Sequence, residues 1–165
     1  MSAEESDKPL FGRQFEMDTA CMELLAEFFE WLKSPSGAAL TPEEASPLAH
    51  EADRYLRDFM TEILEFTPSD STDAVAESYL ANWYVINTLM PEPAEISKIA
   101  RALILLHRYM ADKGTITLPM ACRVEKLFED TAFFISRLEE FWNLAPQEIT
   151  AWRTCADYRH FLHQM

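Results

Sequence analysis

Glycine is scarce in this chain, with three in 165 residues. Few positions are therefore open to left-handed turns or phosphate-cradling loops, which argues against a dinucleotide-binding fold, a P-loop or a turn-rich β-sandwich. Positive charge is scarce too. Fourteen Lys and Arg stand against 28 Asp and Glu, a formal charge of −14, and such a surface repels polyanions at ordinary salt. The imbalance is concentrated in residues 1–73, which hold 17 acids and 5 bases, whereas residues 74–165 hold 11 and 9. Cys21, Cys122 and Cys155 are an odd number without Cys-x-x-Cys spacing, so they read as reduced packing residues of a cytoplasmic protein. No apolar run approaches the ~18 residues of a membrane span. The acidic start MSAEESDKPL is unlike a secretory signal, so no membrane partner is expected.

What is present is apolar periodicity. With 48% apolar and 25% charged residues, the chain has enough core-forming side chains for one all-α domain. Residues 1–16 show no period and read as a mobile leader that packs Leu10, Phe11 and Phe15 onto the body. Steps of three and four then place Cys21, Leu24, Leu25, Phe28 and Leu32 on one face of a helix over 17–33. Thr41-Pro42-Glu43-Glu44 has the capping-box pattern, with a second start available at Ser46-Pro47. The helix it opens carries Leu48, Ala52, Tyr55, Leu56, Phe59, Ile63 and Phe66. A third helix over 74–89, capped by Asp73, turns Val75, Tyr79, Leu80, Trp83 and Ile86 inward. A fourth over 94–113 carries Ile96, Ile99, Ala100, Leu103, Leu106 and Met110 and stops at Gly114. A long fifth over 119–143 and a last over 147–163 complete a compact bundle of about six helices. The fifth covers the first four within one chain; a two-fold dimer through Phe133 and Trp142 is the alternative.

Chemistry is harder to find. Adjacent carboxylates such as Glu43-Glu44, Glu129-Asp130 and Glu139-Glu140 point ~100° apart on a helix and cannot share a proton. No histidine follows a glutamate by three residues, which excludes the di-iron bundle pattern, and GxSxG is absent. Asp157, His160 and His163 share one helix face at steps of three and are the metal candidates, weighed against a polar last turn. His50 and His107 border apolar stripes and read as hydrogen-bonded border residues. Lys98, Arg101 and Arg108 form the one basic strip available to nucleic acid.

The segments Tyr79–Asn87, Met90-Pro-Glu-Pro and Ile96–Ile116 resemble the end of the SAM-like core-binding domain at the N-terminus of tyrosine recombinases. Ile99, Leu103, Leu106, Tyr109, Met110, Gly114 and Ile116 match its closing helix. Phe29-Glu-Trp-Leu32, Ala39-Leu-Thr41 and Tyr55-Leu-Arg-Asp-Phe59 are similar to its first two helices. The chain is more similar still to short bacterial proteins that carry this domain without a catalytic domain. The resemblance covers about residues 20–118, leaving 119–165 as added helices, and implies a fold more than an activity. Recombinase catalysis needs a His-x-x-Arg pair, and the residues three after His50, His107 and His160 are Asp53, Met110 and His163. The expectation is therefore a non-enzymatic protein-interaction or regulatory module without a cofactor. DNA binding through the Lys98 strip, and a small-molecule or metal-dependent role, are the alternatives.

Overall fold

A computed structural model describes the backbone of residues 10–163, with the side chains of Leu10, Phe11 and His163 outside the described set. The described residues form seven helices and no strand. Helix α1 is Leu10–Lys33. Helix α2 is Pro42–Asp53 and continues through wide π-helical turns over Arg54–Thr61. Helix α3 joins Asp73–Ser78, a π-helical Tyr79–Trp83 and Tyr84–Asn87. Helix α4 is Pro93–Asp112, α5 Leu118–Phe128, α6 Ala132–Trp142 and α7 Ile149–Arg153. None is long and apolar enough to cross a membrane among the described residues.

Helix α4 is the axis of the bundle. Ile96, Ile99, Ala100, Ala102, Leu103, Leu106, His107, Tyr109 and Met110 are all buried on it, and it packs against α1, α2, α3, α5 and α6. Its exposed residues are Ala94, Ser97, Arg101, Arg108 and Asp112. Its end follows from Gly114, whose φ of +75° lets the Thr115 N–H donate to the Met110 carbonyl at 2.8 Å, the left-handed stop expected of glycine. The start of α2 is equally local. The Glu44 N–H donates to Thr41 Oγ1 at 3.3 Å and the Thr41 N–H to Glu44 Oε2 at 2.9 Å, so Thr41 and not Ser46 opens the helix and Pro47 lies inside it.

The π-helical turns of α2 and α3 face each other. Each added residue keeps neighbouring apolar side chains directed inward, so Tyr55, Leu56, Phe59 and Met60 are all buried, as are Tyr79, Leu80 and Trp83. Their rings interlock: Phe59 lies 5.4 Å from Tyr79 and 5.5 Å from Trp83, and Tyr55 meets Tyr79 edge-on at 5.2 Å.

Several expectations need correction. The first helix begins at Leu10 rather than 17: the Gln14 side-chain amide donates to the Thr61 carbonyl at 3.3 Å, while Phe15 is 72% exposed instead of packed. Residues 1–9 of the expected leader lie outside the described residues. The cap of α3 is Thr72, whose Oγ1 accepts from the Val75 N–H at 3.2 Å, not Asp73. The helix expected over 119–143 is two, because its apolar stripe changes phase. From Phe128 to Phe134 is six residues, about 600° of rotation and roughly 120° off the face, so the chain breaks. Asp130 Oδ1 then accepts from the Ala132 N–H at 2.9 Å to begin α6. Both halves bury their apolar faces, Val124, Phe128, Phe134 and Leu138, in the same core as α1–α4.

The last expected helix shrinks to α7, followed by a turn and a 3-10 segment over Tyr158–His163. The carbonyls of Trp152, Arg153 and Cys155 accept from Arg137 and Asn82, side chains that compete with helix propagation. Trp152 and Phe161 are buried, while Leu162 is exposed.

Candidate functional site

The basic strip does not stand free. Lys98 leans toward α2, with Nζ 3.6 Å from Glu51 Oε1, and also pairs with Glu95. Arg108 leans the other way, toward α5, and its guanidinium pairs with the Glu125 carboxylate. Arg101 alone stays exposed without an ion pair among the described residues. Two of the three cations are thus matched by carboxylates on neighbouring helices, which the spacing along α4 could not reveal.

The metal candidates are not on one α-helical face, because the segment is a turn followed by 3-10 structure. Asp157 accepts from Arg159 Nε at 2.9 Å, and the Arg159 guanidinium holds its carboxyl below the ordinary range. His160 Nδ1 donates to the Asp157 carbonyl. The side chain of His163 lies outside the described residues, and among those described no group of three ligating side chains comes together.

His50 is exposed, whereas His107 is completely buried. The Leu103 carbonyl can only accept, so the proton sits on His107 Nδ1, which donates to it at 2.6 Å. Nε2 must then accept, and the Ser71 hydroxyl donates to it at 2.7 Å while the Tyr55 hydroxyl donates to Ser71 at 2.6 Å. Burial pushes His107 down to about 4. Hydroxyl and imidazole adjoin as in a nucleophile-base pair, but Ser71 is 1% exposed and a base of so low a pKa holds a proton poorly at neutral pH. The relay ties α2 and the loop before α3 to α4. Ser71 was missed by sequence reasoning, since nothing in a polar Ser-Asp-Ser-Thr loop marks which hydroxyl turns inward. It does so here because the 3-10 turn Pro68–Asp70, closed by the Thr67 N–H on Asp70 Oδ2 at 2.8 Å, directs it there.

The thiols divide similarly. Cys21 is buried against Thr61 Oγ1 at 3.4 Å, and burial, with Asp18, pushes its thiol up. Cys122 and Cys155, expected to pack, are exposed.

A concavity of about 390 Å³ with a mixed apolar and polar lining lies between the turn after α1 and helices α4 and α5. Trp31, Ala38, Leu105, Leu118, Ala121 and Cys122 line it, and Arg108, Asp112 and Glu125 form its rim. One wall is rigid. Trp31 packs on Phe28 at 6.2 Å and Tyr109 at 5.8 Å, and the Tyr109 hydroxyl donates to Glu27 Oε2 at 2.8 Å. The turn that closes this wall requires glycine at position 37, where a Cβ would meet the Trp31 carbonyl oxygen at 2.0 Å. Leu118 on the opposite wall is 67% exposed, held there by Thr117, which caps α5 through the Met120 N–H at 3.4 Å. A second depression of about 370 Å³ has the charged side chains of Asp18, Arg57, Asp58 and Glu62 among its lining, and its arginine is already paired with Asp18 at 2.7 Å and Asp53 at 3.1 Å. Sequence reasoning missed Leu118 and Cys122, because Leu118 falls in the expected connection before the helix over 119–143 and Cys122 reads as a packing residue. No family model, curated protein or solved structure significantly matches the chain.

Proposed function

We propose that the chain is a non-enzymatic, cytoplasmic interaction module, and that the Trp31–Leu118 groove receives a segment of a partner protein. The observation that carries this reading is Leu118, a large aliphatic side chain 67% exposed in a concavity also lined by Trp31, Ala38, Leu105 and Ala121. Exposed apolar groups in a preformed concavity rimmed by polar residues are the usual anatomy of a docking site. Charge selects the occupant: the chain carries −14, and of the groove's two carboxylates Glu125 is held by Arg108 while Asp112 has no ion pair among the described residues. An amphipathic helical segment with an aliphatic anchor and flanking Lys or Arg is complementary to it. Three free cysteines suit a reducing compartment.

The resemblance to the recombinase core-binding domain fits this reading as a fold that keeps its helices and not the phosphate contacts. DNA binding has less support, since Lys98 and Arg108 are committed to carboxylates. Metal dependence has less as well, since Asp157 is taken by Arg159. The test attaches an environment-sensitive fluorophore to Cys122 in a Cys155→Ser background and titrates a short amphipathic Leu/Lys peptide. A saturable blue shift is expected, weakened at least tenfold by Leu118→Asp, as for loss of a hot-spot side chain worth about 2 kcal/mol. No shift, or one indifferent to Leu118→Asp, would reject the groove.

A further inference from the structure

Residues after α7 lie over the π-helical turn of α3, held in an unusual way. Asn82 Nδ2 donates to the carbonyls of Arg153 at 2.7 Å and Cys155 at 3.1 Å. Arg137 Nη2 donates to the carbonyls of Trp152 at 3.1 Å and Cys155 at 3.2 Å, while its Nε donates to the Ala81 carbonyl at 3.1 Å. These donors read main chain and not side chains. Beyond Cys155 the segment is anchored by two aromatics three residues apart: Tyr158 meets Phe59 edge-on at 5.7 Å, and Phe161 meets Phe66 at 6.1 Å. Between them Arg159 and His160 are exposed. The turn into the segment places Ala156 at φ +52°, a conformation that costs a residue with a Cβ free energy and that straightening would release.

The seat beneath is better built than its occupant. Phe59 and Trp83 are buried there, and Tyr79 stacks on Trp83 at 5.5 Å. Asn82 is fully buried, its amide orientation fixed by the two carbonyls its Nδ2 serves, and its Oδ1 accepts from no group. A buried acceptor left unmatched is a recognition element the strap does not use.

We propose that residues 154–163 form a detachable strap on a peptide-binding seat made of Phe59, Phe66, Asn82, Trp83 and Arg137. The occupant that replaces the strap is a partner segment of the same pattern: a main-chain carbonyl, an aromatic three residues on and a second aromatic three further. A donor placed to reach Asn82 Oδ1 gives it the advantage over the strap. The seat is separate from the Trp31–Leu118 groove, shares no lining residue with it, and does not depend on that reading.

The probe is a fluorescently labelled peptide of residues 154–165. It should bind full-length wild type weakly, because the strap competes in cis, and full-length Phe161→Ala at least about tenfold more tightly, because the open state is then more populated. A Phe161→Ala peptide should not bind. Hydrogen exchange on the wild-type chain supplies the second reading: amides of 158–162 should exchange together through an opening that leaves the α4 amides protected. Equal peptide binding by wild type and Phe161→Ala, exchange of the strap only together with α4, or failure of Phe161→Ala to fold would each overturn the proposal.

Discussion

Acidification should destabilise this protein before its carboxylates are titrated, through His107. The ring is wholly buried and neutral, with Nδ1–H on the Leu103 carbonyl and Nε2 accepting from Ser71. Protonating it would place an imidazolium where no carboxylate among the described residues is hydrogen-bonded to it, and burial lowers its pKa from 6.5 to about 4. The unfolded chain therefore binds the proton more readily between those values. The stabilisation is fully present above pH 6.5 and is lost progressively as pH falls to about 4. That displacement is worth about 3 kcal/mol, a large share of the ~5–15 kcal/mol stability of an ordinary domain. Glu27, held low by Tyr109 and Lys113, and Asp157, held low by Arg159, lose their contributions at lower pH. Glu77, pushed up by burial and Asp73, works in the opposite direction. The control is therefore His107→Gln, whose amide can donate to Leu103 and accept from Ser71 without titrating. Urea midpoints taken from pH 7 to 4.5 should fall steeply for wild type and much less for the variant, whose stability at pH 7 is lower. A flat wild-type profile between pH 6.5 and 4.5, or an unchanged slope in the variant, would refute the reasoning.

Three further outcomes follow from packing. Gly37→Ala should lower the thermal midpoint by several degrees, since its Cβ would fall 2.0 Å from the Trp31 carbonyl oxygen; an unchanged midpoint would mean that the turn yields freely. Arg137→Leu should cost about 2–4 kcal/mol in chemical denaturation, because the carbonyls of Ala81, Trp152 and Cys155 lose donors and the guanidinium leaves the face of Trp152, 3.7 Å away. A chain ending at Thr117 should lose cooperative unfolding or solubility, because it lacks Val124, Phe128, Phe134 and Leu138, each worth roughly 1.5–3 kcal/mol when buried. A soluble monomer with a sharp transition would show that α5–α7 are an appendage.

What was legible in the sequence is what is decided within a few residues. The Thr41 capping box, the Gly114 stop and the apolar stripe of α4 each depend on neighbours in the chain, and each has the expected form. The π-helical turns of α2 and α3 were not visible, because they answer to the ring contacts between Phe59, Tyr79 and Trp83. The premature end of α7 follows from Asn82 and Arg137, far away in the chain. For the candidate site, Trp31 stood out only as part of the Phe29-Glu-Trp-Leu32 segment of the family resemblance. Leu118 was not singled out, since its exposure depends on how α5 lies against α4 and the 34–40 turn. The Lys98 strip shows the converse: its cations lie together along α4, but their partners Glu51 and Glu125 are on α2 and α5.

The groove is tested most directly by amide and indole chemical-shift mapping of the labelled protein during titration with the Leu/Lys peptide. Shifts centred on the Trp31 indole, Leu105, Leu118 and Cys122, and absent in Leu118→Asp, are the predicted result. Shifts centred on Phe133 and Trp142 or on Leu89 and Met90, or spread along the acidic face without saturation, would contradict it.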